Sequence, residues 1–309
     1  MELLEATPAV WQDLHARAPE ATVFTAWNFH QLVHPEAQLL VVCDRRTPIV
    51  GVWLTEVSLP FAKYQGILTG FLNVSGDDLR RRLRLIRDVL REVAHRCDEF
   101  ALTFSPAFEH GLSLSWFARE PSMNVALTSG WSAVISTRSY ASYDVYVRAV
   151  NANRRRDLRH ARHLSLTDAC DGVDLERLLR LTFKRQSLAV MDSLGQMIGR
   201  YWEFAKASGR VNAAVLDDRI VAATLFLHDA RAGYYIMGAS ERDPATAGAS
   251  TLLLMDQIRY CFDRGLERVD LLGANDLTRG HFKLSFAATP VAYLALRTTA
   301  CPEVHHAAS

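Results

Sequence analysis

The chain has 309 residues, 49% hydrophobic and 22% charged, the proportions of a globular protein of one large or two ordinary domains. That composition excludes an intrinsically disordered chain, and no apolar run approaches the roughly 20 residues of a membrane-spanning helix. Lysine plus arginine (35) nearly balance aspartate plus glutamate (34), so any attraction for polyanions has to be local.

The start, Met1-Glu2-Leu3-Leu4-Glu5, lacks the basic-then-apolar order of a secretory leader. Cys43, Cys97, Cys170, Cys261 and Cys301 are scattered and contain no Cys-x-x-Cys pair. That pattern fits neither a disulfide framework nor a zinc ribbon, and a cytoplasmic location with reduced thiols is expected.

In chain order, the first clear unit is a hairpin. Gln38–Asp44 runs into the polar turn Arg45-Arg46-Thr47-Pro48 and returns as Ile49–Leu54. Apolar residues Leu79, Leu83, Ile86, Leu90 and Val93 then predict a helix over about 77–96, followed by a strand at 100–104. Residues 142–209 read as charged and helical, with helices near 151–162, 174–186 and 193–208, separated by Gly172 and the Met191-Asp192 turn. A second hairpin follows, Val211–Leu216 and Ile220–Leu227, around Asp217-Asp218-Arg219. Beyond it come a strand at 233–237, a helix over 248–264 and a strand at 269–272. A helix between neighbouring strands implies a parallel pair in each copy. Ile220 follows Ile49 by 171 positions and Val269 follows Phe100 by 169, so the two series keep nearly one register. The expected fold is mixed α/β in two tandem copies, residues 1–138 and 139–309, with a frayed tail after Arg297.

Three places have the residues for chemistry. The loop Ser240–Ser250 offers small residues and a helix start, which reads either as a phosphate or carboxylate seat or as an ordinary turn capped by Ser250. Lys283, between Phe282 and Phe286, is either a partly desolvated ammonium that neutralises a phosphate or nascent oxyanion, or a lysine snorkelling over a packed pair. Residues 154–163 hold five arginines and two histidines, a phosphate surface or a solvated helix face. Arg80, Arg81, Arg82, Arg84, Arg87 and Arg91 read mainly as such a face. His160 and His163 lack a third ligand at a matching step, so no metal site is expected. No Gly-x-Ser-x-Gly elbow occurs, and covalent catalysis is not indicated.

The order hairpin, strand, small-residue loop, helix, strand resembles the GNAT acyltransferase fold, and its duplication resembles the FemAB-type branch. The matching stretches are Phe24-Thr25-Ala26-Trp27, Asn153–Ala161, Phe183-Lys184-Arg185-Gln186, Tyr234–Ser240 and Phe282-Lys283-Leu284-Ser285-Phe286. The resemblance implies transfer of an activated acyl group to an amine of a small-molecule, cell-envelope or specialised-metabolite acceptor, with no permanently bound cofactor. The donor it implies is acyl-CoA or aminoacyl-tRNA. The Gln/Arg-x-x-Gly-x-Gly/Ala loop of CoA users begins here with Ala245 and ends with Ser250, around Gly248 and Ala249. Phe282-Lys283 matches a pair that aminoacyl-tRNA users place beside the reacting ester, which tilts the expectation to that donor and to contact with a tRNA acceptor end. The roles that follow by resemblance are oxyanion stabilisation by Lys283 and a backbone N–H from Ile236, Met237 or Gly238. Arg154, Arg155 and Arg185 would hold phosphates; Asp192 or Asp270 would act as base; Trp27, Lys63 and Tyr64, in the copy expected to take the acceptor, would contact it. The alternatives are an acyl-CoA N-acetyltransferase and a non-catalytic binding protein of the same fold. Oligomeric state is not legible.

Overall fold

In the computed structural model the chain is described over residues 2–44, 47–55, 64–69, 79–97, 99–187 and 189–298. It divides into two compact units, one formed by residues up to Gly130 with the stretch from Ala292, the other by Trp131–Val291.

The first unit begins with β1 (Glu2–Glu5), α1 (Pro8–Arg17) and α2 (Trp27–Val33), then β2 (Gln38–Asp44), β3 (Thr47–Leu54) and β4 (Ile67–Leu68). These strands form a sheet of order β1-β2-β3-β4, with the predicted hairpin at its centre. α3 (Leu79–Arg96) buries Leu83, Ile86, Leu90 and Val93 against β2 and β3 residues such as Val42 and Val52. Leu79, read as part of that stripe, is 58% exposed because it is the first residue of the helix. Arg87 and Arg91 are half-buried on the flank of α3 instead of fully solvated, and pair with Asp88 and with Glu120 just beyond the next helix. β5 (Ala101–Thr103), α4 (Gly111–Ala118) and the start of β6 (Val125–Ser136) follow. In this copy the strand after the helix makes an antiparallel bridge, Ala101 to Thr55, and no parallel pair is found among the described residues.

The second unit continues from β6 through α5 (Tyr143–Ala149), α6 (Ala152–His160), β7 (Ser165–Thr167), α7 (Gly172–Arg185) and α8 (Leu194–Ser208). Gly172 opens α7 instead of separating helices, since the Asp171 carboxylate accepts the Val173 and Asp174 N–H groups and caps it. Next are β8 (Gly209–Leu216), β9 (Arg219–His228), β10 (Ala232–Ser240), α9 (Ala249–Asp263), β11 (Arg268–Gly273) and α10 (Leu277–Leu284), and β12 (Thr289–Thr298) returns to the first unit, where it pairs with β5. Asp217 and Asp218 both have positive φ (48° and 59°), the two-residue turn that matches the twist of a tight hairpin. Within this unit the strand order is β6-β11-β10-β9-β8-β7. β10 and β11 are parallel through the α9 crossover, as the spacing predicted; the other pairs are antiparallel. Leu254, Ile258 and Cys261 of α9 pack over Val269 and Leu271.

Candidate active site

The parallel pairing of β10 and β11 stops at Tyr234 and Asp270, although β10 continues to Ser240 and β11 to Gly273. Two bulges mark the separation. Ile236 is the extra residue of β10 opposite β9, and β11 shifts register against β6 between Asp270 and Gly273. The resulting splay holds a cavity of about 310 Å³. β10 contributes Tyr235, Met237, Gly238 and Ser240 to it, α7 contributes Leu179, Thr182, Phe183 and Arg185, and α10 contributes Arg279, Phe282 and Lys283. Gly238 is needed there: a Cβ would lie 2.2 Å from the Tyr235 hydroxyl.

A second cavity, about 420 Å³, lies where the loop after β10 enters α9. Gly248, at φ +86°, is the cap of α9, and a Cβ on it would lie 2.3 Å from the Asp157 carbonyl oxygen. Only glycine combines that backbone with so close a neighbour. Ser250 is therefore not the cap; its hydroxyl donates to Ser240 Oγ at 3.0 Å. Arg154 reaches this cavity from α6. It donates to Asp157 Oδ2 at 3.0 Å and Thr251 Oγ1 at 3.3 Å, and its guanidinium carbon lies 5.1 Å from the centre of the Phe282 ring. Its buried Nε has no hydrogen-bond partner among the described residues. Ser240, Arg242, Ser250 and Phe282 line both cavities, so the two are neighbours.

Lys283 is 3% exposed. Its Nζ donates to Gly273 O at 2.9 Å and Leu272 O at 3.4 Å and lies 5.8 Å from the Tyr235 ring centre. Those carbonyls belong to the β11 bulge, where Leu272 has φ +57°. Asp270 holds the other side of the bulge by accepting from Leu272 N–H at 2.8 Å and from the Ser132 hydroxyl. The lysine is thus neither solvated nor snorkelling; it clamps a strained strand end at the cavity wall.

The other expected residues fall apart spatially. Asp270 does not line the cavity, and its bonds to the Ser132 hydroxyl and Leu272 N–H hold the bulge. Asp192 is exposed in the turn before α8 and lines neither cavity. Arg155 braces the α5–α6 turn by donating to the carbonyls of Arg148 (2.6 Å) and Val150 (3.0 Å). Ile236 is buried within the bulge, whereas its neighbours Met237 and Gly238 line the cavity. Arg185 lines it too, donating to Ser240 O at 2.8 Å; burial and the nearby Arg242 guanidinium hold it below its ordinary pKa. Lys63 lies outside the described residues. Tyr64 is buried among Phe24 and Tyr293. Trp27 lines a separate cavity of about 430 Å³ in the first unit, with His30, Glu36 and Arg96.

Sequence reading missed Asp157, Thr251, Tyr235, Arg242 and the α7 wall. Arg242 lay inside the loop singled out, but Leu179 and Phe183 carry only the helical spacing of a buried stripe, and nothing in that spacing distinguishes a cavity wall from core. Burial raises the Tyr235 hydroxyl to about 12, so it stays protonated. The thiols of Cys170 and Cys261 are pushed up by burial, also to about 12, which denies either a thiolate nucleophile.

Residues 147–284 match the family model described as acetyltransferase (GNAT) domain. This segment is similar to a GNAT domain. It contains α6, the loop and helix α9, the splayed strands and Lys283, so both cavities belong to it. Three solved structures share the fold of the whole chain. FemX superposes with a TM-score of 0.67 at 11% identity, over 95% of this chain and 97% of its own. A tandem GNAT protein from the clavulanic acid biosynthesis pathway gives 0.55 at 15% identity, over 98% and 99%. L-PGS from Bacillus licheniformis gives 0.54 at 9% identity, over 95% and 92%. At these identities the likeness is one of fold, two GNAT-like domains in tandem. No curated protein sequence matches the chain. The segment's match to a GNAT acetyltransferase model and the tandem fold of the whole chain are thus two separate likenesses, one of sequence and one of fold. No helix among the described residues is long and apolar enough to cross a membrane.

Proposed function

We propose that the second unit transfers an acyl group from a phosphorylated carrier to an amine, forming an amide in the splay between β10 and β11. The observation that carries this reading is the pair of neighbouring cavities. The first has the features of a diphosphate seat: main-chain N–H groups at the start of a 15-residue helix, a left-handed glycine, and the guanidinium groups of Arg154 and Arg242. Arg154 takes the part of the glutamine or arginine absent at Ala245. The second cavity receives the reactive end of the donor.

Coenzyme A thioester is the first choice of donor, because a compact diphosphate suits a seat at a helix start. An aminoacyl-tRNA is the second reading, favoured by Phe282, which faces both cavities, and Lys283 beside it. In either case the acceptor amine attacks the carbonyl carbon. The C–S or C–O bond to the carrier breaks, the carrier takes up a proton, and the nitrogen loses one. The main-chain N–H groups at the β10 bulge, about Met237 and Gly238, stabilise the oxyanion; such a donor is worth about 3–4 kcal/mol. Lys283 contributes its charge from the wall while its position is fixed by the two carbonyls. Asp192 and Asp270 have no part as base, so the amine enters neutral.

Thermal melts with CoA, acetyl-CoA and charged tRNA test the donor, since a ligand at 100 times its Kd stabilises by about 2.7 kcal/mol. Protection by CoA species supports the first reading, protection by charged tRNA alone supports the second, and protection by none removes both.

A further inference from the structure

We infer that the Tyr235 hydroxyl donates a hydrogen bond to the reacting carbonyl oxygen and completes the oxyanion site that the β10 bulge begins. The inference rests on the reading of the splay as the seat of the reactive end, and it adds one side chain to the groups that touch the reacting atoms.

The unused hydrogen bond comes first. Four other tyrosines of the second unit have a partner for the hydroxyl. Tyr143 donates to Met255 O at 3.2 Å, Tyr146 to Phe286 O at 2.8 Å and Tyr234 to Asp229 Oδ2 at 2.7 Å, and the Tyr260 hydroxyl lies 3.1 Å from His228 Nε2. A phenol taken out of water ordinarily finds such a partner. The Tyr235 hydroxyl has none among the described residues. The residue is deep enough for burial alone to raise it to about 12, yet part of its surface stays accessible and it lines the splay.

Position comes second. A Cβ on Gly238 would lie 2.2 Å from the Tyr235 hydroxyl oxygen, so the phenol ends against the segment whose main-chain N–H groups take the oxyanion. The ring is held in place: it packs against the core that contains Leu254 and Ile258 of α9, and Lys283 Nζ lies 5.8 Å from its centre. A donor fixed before the reaction needs no reorganisation when charge develops beside it.

The neighbours come third, because each is committed elsewhere. The same Cβ would lie 2.9 Å from the Thr224 methyl; the Thr224 hydroxyl is turned away, donating to Asn212 Oδ1 and accepting from Gln257 Nε2 at 3.4 Å. Ser250 donates to Ser240, and Lys283 donates to the carbonyls of Gly273 and Leu272. The splay also takes the carrier's connecting arm, but the contact with Gly238 assigns the phenol to the carbonyl.

In the step itself a neutral amine adds to the carbonyl carbon, and the C=O electron pair moves onto the oxygen that the phenol faces. The pair returns as the C–S or C–O bond to the carrier breaks. The nitrogen releases a proton to solvent, the carrier takes one up, and Tyr235 keeps its own throughout.

The test compares the wild type, Tyr235→Phe and Tyr235→3-fluorotyrosine, with acetyl-CoA, hexanoyl-CoA and leucyl-tRNA as donors and hydroxylamine as the acceptor probe. In Tyr235→Phe, kcat for hydroxamate formation above the uncatalysed rate should fall about 100-fold. Affinity for free CoA and uncharged tRNA should not change. The melting temperature should hold or rise, since no hydrogen bond within the protein is removed. The fluorinated variant retains the O–H and should keep most of the wild-type kcat. An unchanged kcat, weaker binding of the free carrier, or a lower melting temperature in Tyr235→Phe overturns the inference and leaves the proposed transfer standing. No hydroxamate from any of the donors with the wild type overturns the proposed transfer and the inference with it.

Discussion

A lysine that is 3% exposed and bonded to two main-chain carbonyls has a structural duty whatever else it does. Lys283→Met leaves those carbonyls unpaired, and a buried group left so costs about 1–3 kcal/mol. The expected outcome is a lower melting temperature together with at least tenfold slower turnover; full stability would contradict the clamp. Asp270→Asn retains an acceptor for Leu272 N–H, so turnover should hold within a few-fold, whereas a base would lose far more. Gly248 is a sharper case. Alanine there accepts a left-handed backbone at about 1–2 kcal/mol and collides with the Asp157 carbonyl. Gly248→Ala should therefore loosen α6 from α9 and abolish donor protection in a melt.

At the scale of elements, α6 separates two arginines that sequence alone had grouped. Consecutive helical residues differ by about 100° around the axis, since a turn takes 3.6 residues. Arg154 consequently faces the loop cavity while Arg155 turns back to the α5 carbonyls. Arg154→Ala is expected to weaken donor binding about tenfold or more, the loss of a charged hydrogen bond. Arg155→Ala should cost about 1 kcal/mol of stability and leave binding unchanged. Titration of both variants with the same donor checks the pair. The hairpins, α9 and the parallel pair were legible because each is encoded by short-range alternation, helical spacing or an obligatory crossover. What stayed hidden depends on contacts between distant segments. Gly248 is a cap because Asp157 sits above it, and Leu179 is a wall because β10 and β11 separate. The β10 bulge at Ile236 has no signature in Tyr234–Ser240 beyond Gly238 itself.

The whole molecule carries a pH dependence unrelated to catalysis. Burial lowers His30, His110 and His228 below the ordinary histidine value of 6.5. The unfolded chain then binds protons that the folded one does not, so stability is full above 6.5 and declines as pH falls from there toward the folded values. Glu20 acts oppositely and lower, since burial raises it above 4.5 and protonation relieves the folded state. Melting temperatures from pH 8 to pH 5.5 should fall, and a flat profile would contradict the burial of these rings. The tandem arrangement itself was legible as the 171-residue offset between the Ile-Val starts of the returning strands, because two copies of one unit repeat their hairpins. The return of the last strand to the first unit was not, since a C-terminal strand gives no sign of its partner.

The central claim is that a phosphorylated acyl donor enters through the α9 loop and reacts in the splay. Calorimetric titration of the wild-type chain, Arg154→Ala and Arg155→Ala with hexanoyl-CoA tests it most directly. The account predicts saturable binding at one site, weakened about tenfold or more by the first substitution and untouched by the second. Equal affinity in all three proteins, or no binding of the wild type to hexanoyl-CoA and to charged tRNA alike, would contradict it.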